Sequence, residues 1–179
     1  MLLLLLFACE KAVPGERSTV DMVEFDGLWT DAAWTWRDDK KQDDPDEERL
    51  IRGRMEEDGT LRLRRGARWA DAADIASLRF DNSDGLSLIA WDFGPSVGEG
   101  DKPLTAATVH PSSRTEAGGW SCVADVGVTD ETFYATFTDT VQVDCTGPGL
   151  PGVWTFARDL GLVHFLGRDG LEMDLVAPY

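Results

Sequence analysis

Residues 69–93, WADAADIASLRFDNSDGLSLIAWDF, carry the pattern that decides the fold. Two alternating or apolar runs, Ile75–Phe80 and Leu86–Phe93, stand on either side of the pair Asp84-Gly85. Alternation with a period of two gives a strand one apolar face. An Asp-Gly pair suits the positive backbone angles of a tight hairpin turn. The stretch therefore predicts two antiparallel strands joined by a short turn.

The same hairpin signal recurs along the chain, and helical periodicity is scarce. Asp-Gly pairs at 58–59 and 169–170 also stand between alternating or apolar runs. Further strands are predicted at Arg49–Glu56, Thr60–Arg65, Glu131–Thr138, Thr140–Asp144, Gly161–Leu166 and Leu171–Val176. We therefore predict a mainly β protein, with antiparallel meanders that form a sandwich or an open barrel.

An internal repeat organises these hairpins. Residues 154–178 align with 69–93 at an offset of 85 positions, without a gap. The identical positions are Trp69/Trp154, Ala72/Ala157, Asp74/Asp159, Phe80/Phe165, Asp84/Asp169, Gly85/Gly170 and Leu86/Leu171. Seven identities exceed the one or two that average composition would give by chance. We predict two related β halves, 27–93 and 119–179, joined by a linker at 94–118 that is rich in proline and glycine.

The N-terminus carries a short apolar run, Leu2–Phe7, which is far shorter than the roughly 20 residues that span a bilayer. It fits the hydrophobic part of an export signal, and Ala8 supplies the small residue before a cleavage point. Cys9 follows at once. The order Leu6-Phe7-Ala8-Cys9 resembles the lipobox of bacterial lipoproteins, although Phe7 is larger than the residue usual at that position.

This resemblance implies that residues 1–8 are a signal peptide and that Cys9 becomes a lipidated N-terminus. Residues 9–26 are then the lipidated cysteine and a polar tether. No Lys or Arg stands between Met1 and Cys9, so we expect a true translation start upstream of the sequence shown. Glu10, where an aspartate would favour the inner membrane, favours an outer-membrane location in the bacterial envelope. Val153–Ala157 leading to Gly161–Val163 also resembles the closing hairpins of uncharacterised secreted bacterial β-proteins, which implies no activity.

The net charge of −16 excludes whole classes of partner. Free-standing nucleic-acid binders are normally basic, because neutralising phosphates drives their affinity. An acidic body is also repelled by an anionic membrane surface. We therefore expect no nucleic-acid partner and a membrane contact through Cys9 alone.

Three cysteines are present, and lipidation of Cys9 leaves Cys122 and Cys145 as a pair. Disulfides persist in the oxidising compartments that exported proteins reach. The spacing is not the C-x-x-C of a redox dithiol, and a metal site would need further ligands. We predict a structural disulfide within the second half.

Four arginines form the least expected local pattern. Arg52 and Arg54 alternate on one predicted strand, and Arg62 and Arg64 alternate on its hairpin partner. Residues two apart share a face of a strand, and guanidinium forks suit carboxylates and phosphates. The pattern predicts an anion-binding face. The alternative is that these arginines pair with the acidic run at 38–48.

Other candidate chemistry is weak. Residues 94–98 match the G-x-S-x-G elbow of serine hydrolases around Ser96, but such an elbow requires a helix next, and 99–103 cannot begin one. His110 lies in the predicted linker. His164 lies in an apolar strand, where we expect it to have a hydrogen-bond partner. No metal-ligand spacing is present, so we predict neither a metal nor a cofactor.

The leading functional hypothesis is a lipid-anchored, non-enzymatic binding or assembly module of the cell envelope, with a protein or a glycan as partner. The alternative is a periplasmic carrier or chaperone that holds apolar ligands in a curved β-sheet lined by tryptophans. A serine hydrolase at Ser96 is the third hypothesis.

Overall fold

The computed structural model describes residues 19–25, 33–37, 50–56, 60–65, 73–81, 83–92, 97–149, 151–168 and 172–178. They form a 3-10 helix, Met22–Phe25, and sixteen strands. The strands are β1 Val20–Asp21, β2 Ala33–Arg37, β3 Leu50–Met55, β4 Thr60–Arg65, β5 Ala73–Asp81, β6 Leu86–Asp92, β7 Val97–Thr105, β8 Thr108–Val109, β9 Ser113–Ala117, β10 Trp120–Val126, β11 Asp130–Glu131, β12 Thr136–Phe137, β13 Thr140–Thr146, β14 Gly152–Ala157, β15 Gly161–Gly167 and β16 Glu172–Pro178. Within these residues, no helix has the length and apolar character needed to cross a bilayer.

Twelve strands form one antiparallel sheet in the order β7-β6-β5-β4-β3-β2-β16-β15-β14-β13-β10-β9. Strands β2 to β7 make a first meander, and β9, β10 and β13 to β16 make a second. The two meanders join where β16 pairs with β2, with Leu175 opposite Trp36. The prediction of a mainly β fold built from antiparallel meanders is confirmed.

The core lies between the two meanders, which pack as the layers of a sandwich. The rings of Phe80 on β5 and Trp154 on β14 meet edge to face at 6.2 Å. Those of Trp91 on β6 and Trp120 on β10 lie 6.1 Å apart. All four side chains are at most 6% exposed. Burying one large apolar side chain contributes roughly 1.5–3 kcal/mol, so each of these four residues stabilises the packing of the two layers.

The repeated segments occupy equivalent places in the two meanders. Hairpin β5–β6 pairs Phe80 with Leu88, and hairpin β15–β16 pairs Phe165 with Met173, which are the same positions at an offset of 85. All four side chains point into the core and are at most 2% exposed. The repeat therefore preserves both the register of the hairpin and its buried face.

The segment 94–118, predicted as a linker, contains three of the strands. Strand β7 completes the first meander at an end of the sheet, where a proline such as Pro103 is tolerated. Gly98 is required by packing, because a Cβ there would lie 2.2 Å from Cζ2 of Trp91. The connection between the meanders is thus residues 106–112, shorter than predicted, and it carries β8.

The two ends of the sheet, β7 and β9, lie against each other without a hydrogen-bonded ladder. The Lys102 ammonium donates to the carbonyl of Gly118, and the Thr115 hydroxyl donates to the carbonyl of Leu104 over 3.3 Å. These side-chain contacts occupy polar groups that a sheet edge would otherwise present to another chain.

Residues 19–25, predicted as part of a polar tether, instead form a strap across one end of the sandwich. Strand β1 pairs with β8, with Val20 opposite Val109, and the amide of Met22 donates to the carbonyl of Ala107 over 2.8 Å. We call this end, marked by 106–112 and 158–160, the strap end. The folded body therefore includes residues 19–25, which the prediction had placed in the tether.

Arg158, in the turn between β14 and β15, fixes the other side of the strap. Its guanidinium lies 4.8 Å from the ring centroid of Phe25, which is fully buried. The same group pairs with Glu24, and its Nε lies 2.7 Å from Oδ2 of Asp139. The amide of Asp159 donates to the carbonyl of Glu24 over 2.9 Å. The strap is thus held by apolar burial and by charge together.

The prediction of one strand at Glu131–Thr138 is wrong. Residues 127–139 form a flap in which the two-residue strands β11 and β12 pair around a turn. The flap lies on the outer face of the second meander, where the amide of Phe133 donates to Oδ2 of Asp174 over 2.9 Å and the amide of Tyr134 donates to the carbonyl of Leu175 over 3.0 Å. Its backbone polar groups bond to the sheet below, which is why a β-rich composition forms no continuous strand here.

Candidate functional site

The four arginines predicted to share a face do so in the structure. The register of β3 and β4 places Arg52 directly opposite Arg64, and Arg54 directly opposite Arg62. The intervening Leu63 is fully buried, so the arginines point away from the core. We call these four residues the arginine face. Arg54 is exposed and the other three are half-buried.

Like charges directly opposite one another on neighbouring strands are destabilising, so this face requires counter-charges. Glu56 supplies one, with its two carboxylate oxygens 2.6 and 3.0 Å from Nε and Nη2 of Arg62. Asp74 on β5 supplies another, 2.9 Å from Nε of Arg64 and 3.8 Å from Nη1 of Arg62. The acidic run at 38–48, proposed as the alternative partner, lies outside the described residues. Neither Glu56 nor Asp74 belongs to that run.

The ion pairs of this face are partly exposed to solvent. The side chains of Arg62, Glu56 and Asp74 are 40%, 37% and 57% exposed. Ion pairs at such exposure contribute about 0–1 kcal/mol, so a competing anion can displace them at small cost. Arg54 makes no ion pair with any carboxylate in the described part of the chain.

A fifth arginine, which the sequence reasoning did not assign to this face, extends it. Arg79 on β5 is exposed and lies opposite Thr60 on β4. Its neighbour two residues earlier, Ser77, lies opposite Arg62. The sequence does show that Arg79 and Ser77 share a face of their strand, because they are two residues apart. Assigning Arg79 to the arginine face also required knowing that β5 pairs with β4.

A second polar cluster lies beneath the flap. His164 on β15 is 8% exposed, and its Nδ1 lies 2.9 Å from Oδ2 of Asp130 in the flap. Its Nε2 lies 3.3 Å from Oε1 of Glu172, and the register places Asp174 directly opposite His164. The prediction that His164 is a strand histidine with a hydrogen-bond partner is confirmed. The cluster connects the flap to the sheet.

The predicted disulfide is present. Cys122 on β10 lies directly opposite Cys145 on β13, their Cα atoms are 4.1 Å apart, and both side chains are fully buried. The bridge connects neighbouring strands of the second meander. Its position is structural, because no part of the pair is accessible to a substrate.

The remaining sequence candidates find less support. Cys9 and Ser96 both lie outside the described residues. The residues directly after Ser96 form strand β7, whereas the nucleophile elbow requires a helix. In the part of the chain that the structure describes, no three His, Cys, Asp or Glu side chains are grouped to hold a metal ion.

The carrier hypothesis requires tryptophans that line an apolar cavity. Trp154 instead packs against Phe165, with ring centroids 4.1 Å apart. The Trp120 indole packs beside Trp91 and donates to the carbonyl of Pro148 over 2.5 Å. These three tryptophans fill the core.

Comparisons with protein-family models, with curated proteins and with solved structures found no match to this chain.

Proposed function

We propose that this protein is an exported, lipid-anchored and non-enzymatic module of the cell envelope that holds anionic groups of a partner on its arginine face. The observation that carries the proposal is the doubled cross-strand arrangement of Arg54 with Arg62 and of Arg52 with Arg64. A planar guanidinium presents several N–H donors in a fixed fork that matches carboxylate and phosphate oxygens. Two such pairs on one rigid hairpin can hold more than one oxygen at once.

The charge of the whole chain makes this face distinctive. The protein carries 33 acidic and 17 basic residues, yet these four arginines gather on two adjacent strands. Their local field attracts an anion at short range, while the surrounding acids disfavour non-specific adsorption of polyanions. The face is therefore suited to a short acidic group rather than to a long nucleic acid.

The strap supports the anchoring part of the proposal. Nine residues, 10–18, separate Cys9 from the first described residue, and an extended chain of that length reaches about 30 Å. Thr19 lies at the strap end, where its hydroxyl is 2.9 Å from Nδ1 of His110. Lipid chains on Cys9 would hold this end of the body nearest to the bilayer, since each buried CH₂ contributes about 0.8 kcal/mol.

Binding is tested by titrating the full-length protein with tetra-aspartate and, separately, with inorganic phosphate. The double variant Arg54→Gln/Arg62→Gln should weaken binding by about tenfold, because two charged contacts of roughly 0.7 kcal/mol each are lost. Arg114→Gln is the matched control, since Arg114 is exposed on β9 of the other meander. If neither probe binds the wild type, and the double variant loses only stability, the face is a structural ion-pair cluster and the proposal fails.

Anchoring is tested separately by metabolic labelling with radioactive palmitate. The wild type should incorporate label and fractionate with membranes, whereas Cys9→Ala should remain unlabelled and soluble. An unlabelled wild type would refute the anchor and leave the binding proposal intact.

A further inference from the structure

A cleft of about 200 Å³ opens on the outer face of the first meander, beside the arginine face. Its lining residues are Thr60, Ser77, Arg79, Ala90, Trp91, Asp92, Val97, Gly98 and Glu99. Most of them belong to two rows that cross strands β4 to β7. One row is Thr60, Arg79, Ala90 and Glu99, and the other is Arg62, Ser77, Asp92 and Val97.

Small residues in the middle of each row create the hollow. Ala90 stands between Arg79 and Glu99, and Ser77 stands between Arg62 and Asp92. Neighbouring strands lie about 4.8 Å apart, so the flanking residues of each row are separated by about 10 Å at the backbone. Long side chains thus form two walls around a floor of short ones.

The two walls carry opposite charge. Arg79 on β5 lines one side of the cleft, and Asp92 and Glu99 line the side formed by β6 and β7. Arg79 and Glu99 are exposed, and neither makes an ion pair with a described residue. Arg79 and Glu99 therefore present opposite charges on the two sides of the cleft and form no ion pair with each other.

We infer that this cleft binds a small zwitterion whose anionic group faces Arg79 and whose ammonium group faces Glu99. A ligand with only one kind of charge is attracted to one side of the cleft and repelled by the other, whereas a zwitterion is attracted to both sides. The hydroxyls of Thr60 and Ser77 line the floor and can serve the polar middle of such a ligand. The inference rests on the proposed function, since Arg79 extends the arginine face.

The separation of the walls selects among zwitterions. In a free α-amino acid the two charges are adjacent, so such a ligand cannot span a gap of this width. A short peptide with both termini free, or a phosphoethanolamine group, places its charges several bonds apart. These two sources share the required chemistry, and separate probes distinguish them.

A matched series of ligands tests the inference by NMR chemical-shift titration of the full-length protein in detergent. Triglycine carries both charges, N-acetyl-triglycine only the anion, and triglycine amide only the cation. Phosphoethanolamine tests the second source. The better of the two zwitterions should bind at least about fivefold more tightly than either single-charge triglycine, with shifts at the amides of Ala90 and Gly98.

Variants then assign the walls. Glu99→Gln should reduce triglycine binding to the level of N-acetyl-triglycine without changing the affinity for N-acetyl-triglycine itself by more than about twofold. Arg79→Gln should reduce triglycine binding to the level of triglycine amide, and it should change the affinity for triglycine amide itself by no more than about twofold. Glu116→Gln and Arg114→Gln, both on exposed positions of β9, are the controls and should change neither affinity.

The outcomes separate this inference from the proposal on which it rests. If tetra-aspartate binds the arginine face but neither zwitterion binds better than its single-charge forms, the inference is overturned and the anion-binding function stands. If the zwitterion preference survives both Glu99→Gln and Arg79→Gln, the site lies elsewhere and the inference is equally overturned. If neither tetra-aspartate nor any member of the series binds, both fail.

Discussion

Replacing Phe25 by alanine should reveal whether the strap is part of the folding unit. The ring is fully buried, and the guanidinium of Arg158 lies 4.8 Å from its centroid. Truncation of a buried phenylalanine costs about 3–5 kcal/mol, because apolar burial is lost and a cavity remains. Loss of the cation–π contact adds roughly 0.5–1 kcal/mol. We therefore expect Phe25→Ala to lower the free energy of unfolding by about 4 kcal/mol, a large part of the 5–15 kcal/mol typical of a domain.

The assay is urea unfolding followed by tryptophan fluorescence, with the disulfide intact. Linear extrapolation gives the free energy of unfolding, and an unchanged slope would show that the same surface is exposed in both proteins. Val23→Ala is the control within the same 3-10 helix, since Val23 is 74% exposed and its truncation should change stability by no more than about 0.5 kcal/mol. A loss below about 1 kcal/mol for Phe25→Ala would refute the reasoning, because it would mean that the strap detaches without disturbing the core.

The contribution of the Arg158 ion pairs can be measured separately from that of the buried Phe25 ring. Arg158→Met keeps an apolar stem of similar length and removes the contacts to Glu24 and Asp139, which are 46% and 45% exposed. At that exposure we expect a loss of about 1 kcal/mol. The double variant with Phe25→Ala should be less destabilised than the sum of the singles by roughly 0.5–1 kcal/mol, which is the coupling between guanidinium and ring.

Three further predictions use the same unfolding assay. Joint replacement of Cys122 and Cys145 by alanine should cost about 3 kcal/mol, because the bridge closes a loop between positions 23 apart; an unchanged urea midpoint would contradict this. His164→Leu should cost about 1–3 kcal/mol and speed amide exchange in the flap, because a buried carboxylate loses its partner, whereas His110→Leu, on an exposed side chain, should do neither. Gly98→Ala should cost roughly 1–3 kcal/mol and alter the near-UV circular dichroism, since its methyl meets an indole; a neutral effect would disprove the close approach.

The hairpins could be predicted from the sequence because their information is local. Alternation over Ile75–Phe80 and the Asp84-Gly85 pair need no distant partner to specify a strand and a turn. The disulfide followed from counting cysteines, and the arginine face followed from the parity of residues on two strands joined by one turn. The hairpins and the arginine face each span fewer than about 25 residues, whereas the disulfide also required Cys9 to be removed from the count.

The strap, β7 and the flap could not be predicted in this way, because distant contacts decide them. Val20 and Phe25 lie in a short segment with no hairpin signal, and only the contacts with β8 and Arg158 show what covers them. The glycine and proline content of 97–105 is typical of a loop, and only the indole of Trp91 makes Gly98 a packing residue. The segment 127–139 has strand composition, but the amides of Phe133 and Tyr134 bond to β16.

The cleft could not be predicted from the sequence either, because it depends on the register between β5, β6 and β7. Glu99 shares a row with Arg79 only because β7 follows β6 in the sheet with a bulge between Leu88 and Ala90. A shift of one residue would turn Glu99 towards the core. The sequence therefore showed which residues share a face of one strand. It did not show that Arg79 and Glu99 lie on opposite sides of one cleft.

The proposed anchor and the cleft place limits on each other. Arg79 lies two residues from the strap end of β5, which ends at Asp81, so the positive wall stands about 7 Å along the strand from that end. If Cys9 carries the lipid, a tether that reaches about 30 Å keeps this wall within roughly 40 Å of the bilayer. The ligand must then be a zwitterion of the membrane-proximal envelope. A headgroup would require the body to tilt its side towards the lipid, whereas a peptide terminus could be bound with the body upright, so the two zwitterionic probes also distinguish two orientations of the protein at the membrane.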